Sequence, residues 1–397
     1  MPFLIGGISM NDIKFIEALK QKRNACDYSQ SRLAQELQIS RQNLNEIENG
    51  KTKASKEMKH ILLHYLDYCN CTQPFTLTID YLRVRFPTTD ALEIIKNVLA
   101  MKSEYFIHED YGMFGYEEQY IYGDISVNAS KDSSMGVLLE LRGMGCRNLE
   151  YVLQARGIDW YCFLSCCIDY QGVFKRIDLA VNDMGGLLDI EILRERYYAN
   201  KVWKRSRTHE VVDSGKLSGT HGDTAKTFYI GSKNSSIYFC LYEKEKEQKS
   251  KGIKTDIKNR FEIRLKNEKA GQTIEQLVFS RNPEQTIASL ILTQIDFPDY
   301  ILWDIFLDNV TTSLPFIMTP VAVNMDKTKR WLERQVMPSL LMIKEIEKKT
   351  GANYLEEIDR HTRLTEKQEL KIKQMTTDIA DMIENDTAVP QGSDGIF

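Results

Sequence analysis

The sequence predicts an α+β protein: an N-terminal all-α helix-turn-helix domain, a central antiparallel β-sheet domain with flanking helices, and a helical C-terminal region. Three observations carry this expectation. Between residues 11 and 70 the apolar side chains recur at helical spacing, as in Ile13, Ile16 and Leu19 or Ile61, Leu62, Tyr65 and Leu66. Downstream, four short segments alternate apolar and polar residues with a period of two. Past Leu265 the helical period returns. The expected domains are residues 1–72, 75–310 and 311–397.

Within the first domain, the segment YSQSRLAQELQISRQNLNEIENGK resembles a helix-turn-helix of the XRE type. Ser29 and Ser40 stand where N-caps of its two helices belong, and Gly50 marks the stop. The second helix opens with Arg41, Gln42, Asn43 and Asn45, side chains of the kind that read base edges in a major groove. Lys51, Lys53 and Lys56 follow and suit phosphates. A polar helical bundle for protein contacts is the plainer alternative.

After a short boundary at residues 70–74, FTLTIDYLRVRF (75–86) reads as a strand ending at Pro87, and 88–99 as a helix. Residues 105–122 read as strands and turns, 146–155 and 159–170 as helices, and 189–198 as another helix. The four alternating segments are VLLELR (137–142), RIDLAV (176–181), IYFCLY (237–242) and FEIRLK (261–266). If they pair in one antiparallel sheet, a single face carries Tyr242, the carboxylates Glu140, Asp178 and Glu262, and Arg142, Arg176 and Arg264. The KVWKRSR tract (201–207) interleaves Trp203 with Arg205, Arg207 and two lysines, which suits a single-stranded backbone with a stacked base as well as a solvated loop. The alternating charges of 244–258 read as a solvated face or turn. Candidate helices follow at 273–279, 283–295, 299–307, 328–349 and 355–384, before a frayed tail from 385.

Composition narrows the class. The chain of 397 residues has room for several cores, and its 27% charged residues are ordinary for a soluble globular protein. With 52 Lys and Arg against 56 Asp and Glu, net charge is −4, so any hold on nucleic acid comes from local patches. No apolar run approaches the roughly 18 residues of a membrane span. The opening residues lack a basic n-region, so a cytoplasmic protein without membrane insertion is expected. The eight cysteines show no paired zinc spacing and read as reduced thiols.

RIDLAVND, YIGSKNSSIYFCLYEKEKEQ and NRFEIRLKNE, in that order, resemble the Rep_trans family of replication initiation factors, which includes rolling-circle plasmid initiators and MobT-type relaxases of integrative conjugative elements. IDYLRVRFPTTD, HEDYG and GVLLELRGMGCR belong to the same resemblance, which runs from Thr76 to Trp331 and is nearest the conjugative relaxases. It implies that Tyr242 attacks one DNA strand at an origin of transfer, leaving a phosphotyrosine on the 5′ side and a free 3′-hydroxyl. It also implies duplex and single-stranded DNA as partners, with a conjugation coupling protein and a helicase. Asp183 enters as a weaker metal candidate, because the family's second acid falls one position earlier, where this chain has Asn182.

A tyrosine phenol, with a reference pKa near 10, needs help to attack a phosphodiester. Mg2+ or Mn2+ would give it, and Glu140, Asp178 and Glu262 are hard oxygen ligands suited to such ions. Arg176 and Arg264 could grip phosphate or orient those ligands. The duller reading makes each carboxylate the partner of the arginine two residues away. Tyr229 and Tyr238 are rival nucleophiles. The six histidines are scattered, with no His-x-His pair for a histidine-bound metal; His60 and His64 share a helix face and read as surface or core. Two alternatives stay open: a rolling-circle replication initiator with the same chemistry, and a non-enzymatic helix-turn-helix regulator.

Overall fold

The structure is a computed structural model that describes residues 10–206, 208–214 and 225–384. The chain starts with four helices: α1 (Met10–Ala25), α2 (Gln30–Glu36), α3 (Arg41–Glu48) and α4 (Lys56–Cys69). Next come β1 (Phe75–Phe86), α5 (Ala91–Asn97), β2 (Ile107–Glu109), β3 (Glu118–Tyr122), β4 (Ile125–Ala129) and β5 (Val137–Arg142). Helices α6 (Met144–Arg156) and α7 (Trp160–Asp169) lead to β6 (Val173–Asp183), α8 (Ile190–Tyr198) and the short β7 (Trp203–Lys204). Then follow β8 (His209–Ser214), β9 (Ala225–Ile230), β10 (Ile237–Tyr242), α9 (Lys244–Ser250) and β11 (Asn259–Lys266). The remainder is α10 (Glu268–Ser280), α11 (Pro283–Leu292), β12 (Ile295–Asp296), α12 (Ile301–Thr312), α13 (Asp326–Trp331), a π turn at Leu332–Val336, α14 (Met337–Thr350), α15 (Tyr354–His361), α16 (Glu366–Thr376) and α17 (Ile379–Met382). Among the described residues no helix is long and apolar enough to cross a membrane.

The chain divides into two compact units, Met1–Ile79 with Arg176–Ile317, and Asp80–Lys175 with Met318–Phe397. In the first unit, strands β6, β11, β10, β9 and β8 are neighbours in that order, all antiparallel. One face buries Ile177, Leu179, Val181, Phe261, Ile263, Leu265, Phe239, Leu241, Phe228 and Ile230. The Phe261 ring there lies 5.3 Å from Phe239, 6.1 Å from Trp303 and 5.7 Å from Phe306, so α12 closes the core over the sheet. The same unit holds α1–α4 around buried Leu19, Leu33, Leu44, Ile47, Leu62 and Leu66. Ser29 Oγ accepts from Arg32 N and Ser40 Oγ from Asn43 N, so both expected N-caps form. Gly50, at φ 67°, takes the left-handed position that ends α3 at low cost.

In the second unit, β2, β3, β4, β5 and β1 are neighbours in that order, again antiparallel. Leu82, Val84, Val137, Leu139, Leu141, Ile125 and Val127 are buried on their apolar side, with Leu149, Val152 and Leu153 of α6. The expectation of one long helix at 355–384 fails. Three short helices stand there, since Thr365 and Asp378 cap new starts and break the period. Gln374 of α16 donates to the carbonyls of Tyr105 and Ile121, docking that piece beside β2 and β3. Residues 244–250, expected as a solvated face or turn, form α9, where Lys–Glu pairs three and four apart hold each other.

Phe261→Ala would leave a cavity among three aromatic rings, and we expect a loss of about 3–5 kcal/mol of stability. Urea unfolding of the first unit tests this, and a change under about 1 kcal/mol would remove Phe261 from the core that holds the sheet.

Candidate active site

The register of β6, β11, β10 and β9 puts the polar residues of four strands on one face. Arg264 stands opposite both Asp178 and Tyr238, Glu262 opposite Cys240, Tyr242 opposite Arg260, and Cys240 opposite Tyr229. Directly paired residues in an antiparallel sheet share a face, so the alternation that buries Phe239 and Leu241 necessarily turns Tyr242 toward Glu262.

Tyr242 ends β10 immediately before α9, and its hydroxyl donates to Glu262 Oε1 at 2.6 Å. Lys244 Nζ reaches the same hydroxyl at 3.4 Å and lies 5.3 Å from the ring centroid. Tyr242 is 9% exposed, covered on the polar side of the sheet and outside the aromatic core. Glu262 Oε2 accepts from Arg264 Nε at 2.9 Å and Nη2 at 2.6 Å. The same guanidinium stands 3.5 Å from Asp178 Oδ2, so one arginine bridges two buried carboxylates. Arg176 grips Asp178 with both arms, at 2.8 and 2.6 Å. Burial, helped by the charge of Glu262, still pushes the Asp178 carboxyl up to about 6 against the pull of its arginines.

Glu140 belongs to the second unit. Its carboxylate accepts from Arg83 Nη2 and Arg142 Nη2, each at 2.6 Å, and from the Tyr81 hydroxyl. Burial alone would raise this carboxyl, but the hydrogen bonds from Arg142, Tyr81 and Arg83 outweigh it and hold it below its usual range. Each of the three carboxylates thus pairs with the arginine two residues away, as the plainer reading expected.

The rival phenols sit differently. Tyr229 is pushed up to about 12, first by burial and then by neighbouring Cys240. Tyr238 lies under Arg264 and Lys266 with its ring covered. Asp183 is fully buried, and its oxygens accept from the backbone N–H groups of Gly186, Leu187 and Leu188 and from Asn259 Nδ2. That carboxylate holds the turn after β6. Arg260 went unnoticed in the sequence, although it alternates with Glu262 and so must share its face, and Lys244 was read only within the alternating charges of 244–258.

Three comparisons bear on this arrangement. A Bacillus subtilis (strain 168) protein named "Putative DNA relaxase NicK" is 30% identical over 328 residues, 78% of this chain and 92% of the relative. Residues 172–358, which contain Asp178, Tyr242, Glu262 and Arg264, match the replication initiation factor family. The chain belongs to this family. In this replication initiation factor, residues 76–166 also match the rolling circle replication initiation protein N-terminal domain, and residues 19–68 match a helix-turn-helix. The structure of a rolling circle replication initiator protein from Geobacillus stearothermophilus shares the fold, with a TM-score of 0.54 and 23% identity over 62% of this chain and 99% of that one.

The helix-turn-helix match covers the candidates of α3 and the lysines after it. Arg41, Gln42, Lys51 and Lys53 are exposed, and Asn43 and Asn45 half-buried. Gln42 donates to Glu46, and Asn45 accepts from Asn49 one turn on, so α3 holds part of its polar row in place. Trp203 is 52% exposed on the β7–β12 ribbon, and Arg205 is exposed beside it. Arg207 lies outside the described residues.

Asp183→Ala would strand three buried N–H donors and an amide. We expect a loss of at least about 1–3 kcal/mol, read from thermal unfolding without added metal. An unchanged midpoint would return Asp183 to the ligand candidates.

Proposed function

We propose that this replication initiation factor is a DNA relaxase that nicks one strand at an origin of transfer, with Tyr242 as nucleophile. The observation that carries the reading is the 2.6 Å hydrogen bond from the Tyr242 hydroxyl to Glu262 Oε1, on a face lined with arginines. Glu262 accepts the phenol proton as the Tyr242 oxygen attacks phosphorus. The P–O3′ bond breaks, the 3′ oxygen leaves as a hydroxyl after taking a proton, and the phosphorus stays on Tyr242 as a 5′-phosphotyrosine diester. No bond energy is lost to water, so the 3′-hydroxyl can reverse the step. Lys244, in reach of the phenol, and Arg264, which holds Glu262 beside it, stabilise charge growing on the phosphate oxygens.

The donor set fits a hard divalent cation. Asp178 and Glu262 offer oxygen on one face, while Glu140 belongs to the other unit and is held by Arg83, Arg142 and Tyr81. When bound there, Mg2+ or Mn2+ would polarise the scissile phosphate and neutralise its charge. Arg176 and Arg264 hold the two carboxylates in place meanwhile.

Residues 1–72 are the duplex-docking module on this reading, with Arg41, Gln42, Asn43 and Asn45 toward base edges and Lys51 and Lys53 on phosphates. Residues 75–310 carry the nicking chemistry and 311–397 a helical extension. Trp203, Arg205 and Arg207 suit the single strand. The nicked complex is handed to a coupling protein and a helicase in the cytoplasm. Transfer is favoured over plasmid replication because the relative named as a relaxase is 30% identical, against 23% for the replication initiator structure.

Incubation of a supercoiled plasmid bearing the cognate origin with the protein and Mn2+ is expected to give an open circle with protein on the 5′ end. Tyr242→Phe should bind that DNA and leave it uncut, whereas persistent nicking would move the role to Tyr238 or Tyr229. Asp178→Asn should slow nicking by about 10²–10³-fold with DNA affinity unchanged. Replacing Arg41 and Gln42 together by Ala should weaken duplex binding by about 1–3 kcal/mol and spare cleavage of a single-stranded oligonucleotide. Equal loss on both substrates would end the separate docking role.

A further inference from the structure

The two histidines set aside in the sequence acquire a partner in the fold. His60 and His64 stand one turn apart on α4, their rings stacked with centroids 5.6 Å apart and planes 11° from parallel. Asp189, 129 residues from His60, faces them from the N-terminus of α8 in the same unit. Its Oδ1 is occupied as the helix cap, accepting from Glu191 N at 2.9 Å and Ile192 N at 3.0 Å. Its Oδ2 turns to the histidines, in contact with His60 Nδ1 and 3.4 Å from His64 Nε2. His64 Nδ1 meets the Gly186 carbonyl, which can only accept, so this nitrogen carries a proton and Nε2, turned to Asp189, is the atom left for an ion that displaces its proton. A backbone carbonyl fixing the far nitrogen is the usual second shell of a metal-bound imidazole. Here Asp183 stiffens that carbonyl's turn, holding the N–H groups of residues 186–188.

We propose that His60, His64 and Asp189 form a site for a borderline divalent ion of the zinc class, clamping the helix-turn-helix domain to the segment between β6 and α8. Two imidazole nitrogens and one carboxylate oxygen are a donor set that such an ion prefers over Mg2+ or Mn2+. The three ligand atoms already lie within 4.8 Å of one another. Ligands about 2.0–2.1 Å from a tetrahedral ion stand roughly 3.3 Å apart, close to the 3.4 Å between His64 Nε2 and Asp189 Oδ2. An ion there takes the place of the hydrogen bond between His60 and Asp189 and leaves a fourth position for water. Nearby Lys56 and Lys59 do not compete for the carboxylate, because they are paired with Glu195 and Asp12. Arg196 beyond them is paired with Glu57. The site is independent of the nicking reading, and its test does not use activity.

The full chain is stripped with a chelator, given Zn2+, desalted and assayed for bound metal and thermal midpoint. The wild type is expected to keep about one zinc per chain, with the midpoint raised by roughly 3–6 °C at a hundredfold excess over Kd. Cobalt(II) in its place should give the visible absorption band of a tetrahedral ion. His64→Gln, which keeps a donor for the Gly186 carbonyl, should lose the zinc, the rise and the band. Asp189→Asn, which keeps a cap for α8, should lose most of the affinity. Asp178→Asn should keep the full equivalent. The proposal is overturned if the wild type retains no zinc, which leaves a plain His–Asp ion pair, or if His64→Gln retains as much as wild type. It is equally overturned if Asp178→Asn loses the metal, which would put the ion on the polar face of the sheet.

Discussion

One guanidinium between two buried carboxylates sets the terms for the rest of the first unit. Asp178 and Glu262 are 3% and 2% exposed, and ionised acids at that depth are costly without compensation. Arg264 sits 2.6 Å from one and 3.5 Å from the other, and Arg176 completes the count at Asp178. A charged layer of this kind does little for net stability, since desolvation offsets much of the attraction. What it provides is position: Glu262 is held at a defined place beside the Tyr242 hydroxyl, and Asp178 is fixed next to it through the shared Arg264.

That layer is affordable because the other face of the same strands is a dense apolar core. Phe239, Phe261, Trp303 and Phe306 pack with centroid separations between 5.1 and 6.1 Å, and alternation leaves the strands no means of moving an acid without moving a core residue. A slip by one residue in β10 would bury Tyr238, Cys240 and Tyr242 in that core and expose Phe239 and Leu241. Register and chemistry are therefore one constraint. The second unit repeats the plan around Glu140, but with three donors on the carboxylate its electrostatic balance is the opposite of that at Asp178.

The turn between β6 and α8 links this layer to the N-terminal helices. Asp183 holds the turn from below and Asp189 starts α8, while His60 and His64 meet the turn from α4. Lys56 with Glu195 and Arg196 with Glu57 add pairs along the same seam. The helix-turn-helix is thereby tied to the strand that carries Asp178 by hydrogen bonds and ion pairs from α4.

Much was legible from residue order alone. Strict alternation located β5, β6, β10 and β11, and assigned Tyr242, Asp178, Glu262 and Arg264 to their sides, because a strand's side-chain period is fixed by its backbone. Ser29, Ser40 and Gly50 marked helix ends because capping is a local matter of a few bonds. Strand β4, the short α9 and the break of 355–384 into three helices went unread, since their signals are brief or polar. Tertiary structure alone decided what long-range contact decides: that Asp183 uses its oxygens to hold a turn, that burial raises the Asp178 carboxyl while hydrogen bonds lower that of Glu140, and that two histidines of α4 meet a carboxylate 129 residues away. Sequence spacing carries face and period. Depth, partner and field arise when distant segments exclude water together.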